Sequence, residues 1–457
     1  MFWSSLLIDD SLDGAVEVVA AQLAADSSDE DEPGPWGGSP LGKSPNKDRD
    51  FAGAYDRLVK DYFSGTDSVY NEQDFERRFR MPRSIFEKVK GGIMGRGSFI
   101  QRTDCTGKLG IHPLCRLTAV LRMIAYGECA DREDEYLRLS ESVTSESLKE
   151  FAHHVVEVFG KQYLCRNPTE QERQRILKIF MDRGFPGAFS SWDCKHFNWK
   201  NCPVRLAGQH KGHSEGGKKT LILETIADPD LYLWSIFFGE AGSLNDINVL
   251  DKSSIVTSIL NGKFDLKTEE YMINGRFRDW LYFLVDGVYP NWAIFIKSVR
   301  YPVDEIESLF AECHEAARKD VERAFGVLVL LLMILQHPIR MWYLDDICNL
   351  LYCCIILHNM IVEERRLENP ENAAAEWMEE NVAFLDHPRE GHNNHDAHTT
   401  LFGHSEINEL GGDIGQALAD RVATLSASMM DDHEHFQLQR DIMQHLWASR
   451  HNNHAQI

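Results

Sequence analysis

Several features that would define a class of protein are missing from this sequence. Its 457 residues include 10 cysteines but no Cys-x-x-Cys pair, so we expect neither a zinc ribbon nor a disulfide framework. The apolar run Val327–Leu335 is too short to cross a bilayer. The apolar first residues lack the basic segment of a signal peptide. These absences favour an intracellular protein with no membrane partner.

Positive charge is also scarce, since the net charge is −23. The deficit is concentrated in the flanks: residues 1–50 hold 11 acidic and 3 basic residues, and residues 363–457 hold 18 and 6. Residues 51–362 carry 42 acidic and 39 basic residues, which is close to neutral. A near-neutral middle can carry a local basic face, which matters more for DNA binding than the total charge.

Composition and periodicity divide the chain into five segments. Residues 1–52 predict a disordered, acidic linker rich in Gly and Pro. Residues 53–185 predict a helical domain, either helix-turn-helix-like or an ordinary bundle. Residues 186–362 combine short strands with long helices. Residues 363–412 predict a flexible segment rich in acidic residues, His and Asn, and residues 413–457 a C-terminal amphipathic helix and tail.

The middle segment has the pattern of a sheet covered by helices. Short runs rich in β-branched and aromatic residues predict strands over Ala188–Trp192, Thr220–Ala227, Leu231–Phe238 and Trp280–Val285. The helical stripe of Val321, Phe325, Leu328 and Leu332 predicts a long helix over Glu312–Leu335, and Leu344–Val362 predicts another. This order indicates an α/β fold.

Four acidic residues lie at or near the ends of these predicted strands or on the predicted long helix. Asp193 follows the first predicted strand, Asp246 lies between the third and fourth, Asp286 follows the fourth, and Glu322 lies on the long helix. Carboxylates are the ligands that Mg²⁺ prefers, and several together can hold two ions for phosphodiester chemistry. A single Asp at a strand end is more often a turn former or a helix cap. The ordered set, rather than any one residue, therefore predicts a ribonuclease-H-like nuclease core.

The chain resembles the transposases of the PIF/Harbinger class, in particular their plant transposon protein branch and its nuclease-like relatives. The resemblance covers roughly residues 53–447. The matching segments are Ser191–Pro203, Gly242–Leu250, Leu284–Pro290, Arg318–Gly326 and His358–Ile361, with a later match over Leu438–Trp447.

This resemblance implies a DDE nuclease core, a mixed sheet covered by helices, preceded by a helical N-terminal domain. It implies that Asp193, Asp286 and Glu322 are catalytic, and that these three residues and Asp246 bind a divalent cation, Mg²⁺ or Mn²⁺. Asp246 is either a direct ligand or a residue that orients the ligands. From the residues alone, a helix cap is also open for Asp246.

Basic residues follow the first acid and flank the last one, and we expect them to contact DNA phosphates. From the residues alone, a solvated loop explains the first group equally well, and Arg318 and Arg323 could pair with the acids instead. The predicted DNA-binding residues are Lys195, Lys200, Arg205, Lys211, Lys218, Lys219, Arg318 and Arg323.

The expected function is a metal-dependent DNA endonuclease and strand transferase acting on transposon ends. The alternative is a domesticated or inactive module that binds DNA or protein. This alternative rests on the acidic flanks and on one departure: relatives usually carry a basic residue after Phe325-Gly326, where this chain continues with Val327–Leu335. The resemblance also implies two partners, DNA and a separate Myb-like DNA-binding protein. It implies localisation to the nucleus; additional localisation to the cytoplasm and homo-oligomerisation are left open.

Overall fold

The computed structural model describes residues 47, 49–164, 166–212, 217–267, 270–368 and 423–454. The chain divides into two compact units. One runs up to Lys161 and includes Leu332–Ile334, and the other comprises Gln162–Leu331 and the residues from Leu335 onward. The predicted linker over residues 1–52 lies almost wholly outside the described residues, and the predicted segment 363–412 lies outside them from residue 369 on.

The first unit is built of helices. Their aromatic faces form its core, where the rings of Phe75 and Phe79 stack at 4.4 Å and Phe86 packs edge-on against both. The helices are α1 (Phe51–Leu58), α2 (Glu72–Phe79), α3 (Arg83–Ile93), α4 (Pro113–Tyr126), α5 (Glu133–Leu137) and α6 (Glu141–Tyr163), the last of which continues into the second unit.

The second unit contains a five-stranded mixed sheet with the order β3-β2-β1-β6-β7. β1 pairs antiparallel with β2, and β2 with β3, whereas β1, β6 and β7 run parallel. The strands of this sheet are β1 (Ala188–Asn198), β2 (Thr220–Ala227), β3 (Leu233–Ala241), β6 (Tyr282–Val285) and β7 (Phe295–Lys297). The predicted α/β layer is therefore present.

The first strand is longer than its sequence pattern predicts. We expected it to end at Trp192, with Asp193 just beyond it, but β1 continues to Asn198 because each of its residues from Ser191 onward pairs with β2. The prediction failed because Asp193, Lys195 and His196 interrupt the apolar run without interrupting the backbone ladder. The pairing of β1 with β6 stops earlier, at Ser191 and Leu284. Asp193 therefore lies beyond the parallel ladder with β6 but inside the antiparallel ladder with β2.

A small hairpin of β4 (Tyr271–Ile273) and β5 (Arg276–Arg278) was not predicted. Its turn is Asn274-Gly275, and both residues have positive φ, 51° and 75°. An Asn-Gly pair between apolar residues is the strongest short-range hairpin signal, so the sequence did contain the information.

Helices cover the sheet. They are α7 (Glu170–Asp182), α8 (Asp246–Leu250), α9 (Ser254–Leu260), α10 (Glu305–Leu331), α11 (Leu344–Glu368) and α12 (Asp432–His454). Helix α7 packs on β1, so the predicted boundary at residues 185 and 186 falls inside the second unit. Helix α11 is long and apolar enough to span a membrane by composition, but 78% of its most apolar window is buried, as in a core helix.

Candidate functional site

Helix α10 and strand β1 bring Glu322 towards Asp193. The Ser191 hydroxyl donates to the backbone carbonyl of Ala317 at 3.1 Å, which fastens the strand to the helix one turn before Glu322. Ala317 is small and 3% exposed, so the two backbones can approach closely. Asp193 lies two residues beyond Ser191, and side chains two residues apart on a strand share one face.

Arg318 links those two acids. Its Nη1 atom lies 3.0 Å from Oε1 of Glu322 and 4.0 Å from Oδ2 of Asp193. Because both distances start at the same atom, the two carboxylate oxygens cannot be further apart than the two distances added together. Its Nη2 atom also lies 3.0 Å from Glu315. The guanidinium of Arg318 is only 12% exposed and is already paired with acidic side chains. Contact with a DNA phosphate, the predicted role of Arg318, would compete with these ion pairs.

Asp286 directly follows β6, the parallel neighbour of β1, and is exposed. The last pair between β1 and β6 is Ser191 with Leu284. Asp193 and Asp286 each lie two residues beyond that pair, so both follow the end of the parallel ladder at the same edge of the sheet. Each of these two carboxylates accepts a hydrogen bond from the amide that follows it, Cys194 N at 2.8 Å and Gly287 N at 2.6 Å.

Asp246 begins the short helix α8 but does not cap it. The cap is Asn245, whose side chain accepts a hydrogen bond from Asn248 N at 2.8 Å. The helix-cap explanation of Asp246 is therefore wrong. Its carboxylate acts on the pKa values of Asp193, Cys194 and Glu224, which indicates that it lies near the centre of the sheet.

The acids perturb one another electrostatically. Burial raises the pKa of Asp193 to about 7, and the nearby carboxylates of Asp246 and Glu322 act in the same direction. The Cys194 amide and Arg318 oppose this rise. For Arg318, burial lowers the pKa, but Glu315, Glu322 and Asp193 outweigh burial and hold it above its usual value. The arrangement therefore concentrates negative charge around one buried cation.

Of the other predicted basic residues, two lie on β1 and α10, and five lie in the connection between β1 and β2. Lys195 is on β1 two residues after Asp193, and its ammonium lies 5.6 Å from the ring centroid of Phe325 on α10. Arg323 faces away from Glu322 and instead pairs with the buried Asp320 at 2.5 Å. The others line the connection between β1 and β2, where they are exposed or half-buried: Lys200, Arg205, Lys211, Lys218 and Lys219.

The acids are not gathered as tightly as in a preformed metal site. Within the described part of the chain, the only cluster of three potential ligand atoms within 4.8 Å of one another is His153, His154 and Glu157, in the first unit. Arg96 contacts Glu157 there at 3.2 Å. At the candidate site, Arg318 takes the position of a counter-cation between two of the acids.

Comparison with known proteins agrees with the resemblance seen in the sequence. Residues 161–369 match the family described as plant transposon protein, and this span contains all four acids and Arg318. "Protein ALP1-like" of Arabidopsis thaliana is 22% identical over 295 residues, which cover 63% of this chain and 70% of that protein. Residues 55–93 match a domain of unknown function. No solved structure matches the chain.

Two charged residues near the acids of this plant transposon protein segment escaped the sequence prediction. Glu224 on β2 is 2% exposed and accepts a hydrogen bond from the Trp192 indole at 3.1 Å. Burial raises the pKa of Glu224 to about 8. Lys297 on β7 pairs with Val285, next to Asp286, and donates to the carbonyl of Tyr289 at 3.0 Å. A lone acid within the apolar strand Thr220–Ala227 was the available signal for Glu224.

Proposed function

We propose that this chain is a transposase-descended DNA endonuclease and strand transferase with a ribonuclease-H-like core. The observation that carries the proposal is that Arg318 contacts acids from two separate elements. Asp193 on β1 and Glu322 on α10 lie within reach of its guanidinium, and Asp286 follows β6, the parallel neighbour of β1. The strand order, with two antiparallel strands on one side of β1 and two parallel strands on the other, supports such a core.

The donor chemistry fits a hard divalent cation. The four acids offer only carboxylate oxygens, which Mg²⁺ and Mn²⁺ accept. Burial, and to a smaller extent the carboxylates of Asp246 and Glu322, raises the pKa of Asp193, and added positive charge would favour its ionised form. Asp193, Asp286 and Glu322, with Asp246 as ligand or orienting residue, would hold the metal, which when bound supplies an activated water and a stabilised leaving oxygen.

The chain's own residues would prepare this chemistry in defined ways. Arg318 keeps Asp193 and Glu322 directed at a common point before DNA arrives. Lys195, on the same strand face as Asp193, would meet the phosphate next to the cut. Lys297 holds the turn from Asp286 to Tyr289 in place through its bond to the Tyr289 carbonyl.

The test is cleavage of duplex DNA carrying transposon terminal repeats, with purified full-length protein and Mg²⁺ or Mn²⁺. We expect cleavage that leaves a 3′-hydroxyl. Asp286→Asn and Glu322→Gln should each slow it by about 100-fold or more, because metal-bound charge stabilisation amounts to several kcal/mol. Glu315→Gln is the matched control, since Glu315 also contacts Arg318 but is not one of the four acids. Wild-type rates in the Asp286 and Glu322 variants would overturn the assignment.

A second candidate is a transposase-derived module that binds DNA but no longer cuts it. Two observations favour it: Arg318 already neutralises two of the acids, and Val327, in the run that departs from the family pattern, is buried with 2% exposure. DNA binding without any metal-dependent cleavage in the same assay would support this candidate. DNA as substrate, a Myb-like partner, homo-oligomerisation and nuclear localisation remain predictions.

A further inference from the structure

The segment from Ile339 to Tyr343 begins beside the end of β1, where Ile339 forms an isolated parallel bridge with Trp199. Ile339 N donates to Asn198 O at 2.7 Å, and Lys200 N donates to Ile339 O at 2.8 Å. Side chains add two more bonds, from Trp199 Nε1 to Met341 O at 3.0 Å and from Asn201 Nδ2 to Arg340 O at 2.6 Å. Four hydrogen bonds thus fix the backbone of this segment, which we call the 339–343 segment.

Two large aromatic side chains stand exposed at the end of this fixed backbone. Trp342 is 56% exposed and Tyr343 is 66% exposed. Aromatic side chains of this size are usually buried, and their exposure on an ordered backbone marks a place where something else packs.

Positive charge borders the aromatic pair. Arg340 is exposed within the segment, Lys200, whose amide bonds to Ile339, is exposed, and so is Arg205. Two acids, Asp345 and Asp346, follow Tyr343, but they lie in the first turn of α11, where the helix dipole favours negative charge. Aromatic rings bordered by Lys and Arg are the combination that binds single-stranded nucleic acid, with rings for the bases and cations for the phosphates.

We propose that Trp342 and Tyr343 form a stacking platform for unpaired bases of single-stranded DNA, with Lys200 and Arg340 contacting its phosphates. This inference rests on the proposed function, since it takes DNA as the substrate class. The 339–343 segment begins beside the far end of the strand that carries Asp193, because Ile339 bonds to Asn198, which is five residues further along β1, roughly 17 Å. The platform would hold a strand separated near the cut.

The test is fluorescence anisotropy with full-length protein in EDTA, using a labelled oligonucleotide of about 15 nucleotides and the duplex of the same sequence. The double variant Trp342→Ala/Tyr343→Ala should weaken single-strand binding by roughly tenfold or more and leave its salt dependence unchanged. Lys200→Ala/Arg340→Ala should instead make the slope of log affinity against log salt shallower by about 1.4, because each single-strand phosphate contact contributes about 0.7. Duplex binding should change little in the aromatic variant.

Trp342→Phe and Phe277→Ala are the matched controls. Phenylalanine preserves a stacking face, so Trp342→Phe should keep most of the affinity. Phe277 is 74% exposed on the β4–β5 hairpin, outside the platform, and its loss should have no effect. Unchanged single-strand binding in the double variant, or an equal loss on duplex, would overturn the platform. Because the assay contains no metal, its outcome is independent of whether the protein cuts DNA.

Discussion

Arg318 shares its guanidinium among Glu315, Glu322 and Asp193, and this sharing sets the electrostatics of the site. Without it, three carboxylates from β1, α8 and α10 would repel one another in a partly buried place, because Asp246 and Glu322 already raise the pKa of Asp193. A side chain that is both close and cationic makes the cluster compatible with folding in the absence of a metal.

His358 illustrates a residue of the family motif whose role is structural. Its Nε2 lies 2.8 Å from the carbonyl oxygen of Leu231, a residue in the left-handed region with φ 71°. Such a backbone costs about 1–2 kcal/mol for a residue with a Cβ, so the donated hydrogen bond helps to hold the turn before β3. Asn359 continues the clamp, since its side chain bonds both Leu233 N and Leu233 O.

A prediction about pH follows for His358. Burial lowers its pKa to about 4, so the folded state keeps the ring neutral while an unfolded chain takes up a proton near pH 6.5. The folded pKa is depressed, so the stability present above pH 6.5 is lost as pH falls from 6.5 towards 4. The free energy of unfolding, measured in urea, should fall between pH 7 and pH 5 in the wild type. We expect this fall to be about 1–2 kcal/mol smaller in His358→Gln.

The comparison is made between variants, since other groups titrate in the same range. His433→Gln serves as the control, because His433 is exposed. A pH dependence of unfolding that is identical in wild type and His358→Gln would contradict this role.

At the scale of elements, the sequence predicts the order of strands and helices well and their limits less well. Apolar runs located β1, β2, β3 and β6 of the main sheet closely enough to put Asp193 and Asp286 at strand ends, because strands buried on both faces read as continuous apolar runs. The extent of β1 and the Arg318 contacts could not be predicted, since ladder pairing and ion pairs depend on which elements become neighbours. From the sequence, the positive charge of Arg318 predicted a contact with DNA. The structure instead shows its guanidinium beside Asp193.

Helix α12 is the element whose structural role the sequence least suggests, because residues 369–431 separate it from α11. Arg278 of the hairpin pairs with Glu434 at 2.7 Å and Asp441 at 2.8 Å, and His435 Nδ1 lies 2.6 Å from Phe295 O on β7. A turn at Met430 precedes the helix. These contacts make the C-terminal helix part of the sheet unit.

Removal of α12 should therefore destabilise the sheet unit. A chain ending at residue 422 loses the buried Leu438, Ile442 and Leu446, each contributing about 1.5–3 kcal/mol. We expect its melting temperature to fall by about 10 °C or more, or the protein to be insoluble. Deletion of only residues 455–457 is the control. Ile442→Ala, a milder change, should cost about 2–5 kcal/mol in urea unfolding, and wild-type stability in both variants would contradict the account.

For the whole molecule, the net charge of −23 is less informative than its distribution. The acidic flanks account for most of it, while the sheet unit gathers Lys200, Arg205 and Arg340 on the side of β1 beyond the acids. Strand β1 thus carries Asp193, the proposed metal ligand, near its middle and leads to exposed cations at its end. The proposed nuclease would use such a gradient to hold a polyanion beside the acids.

The central claim is that Asp193, Asp286 and Glu322 form one divalent-cation site in which Arg318 is the competing charge. The direct measurement is Mn²⁺ binding to full-length protein, followed by the loss of the free-ion electron paramagnetic resonance signal. We predict that Asp193→Asn and Glu322→Gln weaken binding by about tenfold or more, that Arg318→Met strengthens it, and that His153→Ala/Glu157→Gln leaves it unchanged. Mn²⁺ binding that is unaffected by Asp193→Asn and Glu322→Gln, or that is lost with the His153 and Glu157 variant instead, would contradict the claim.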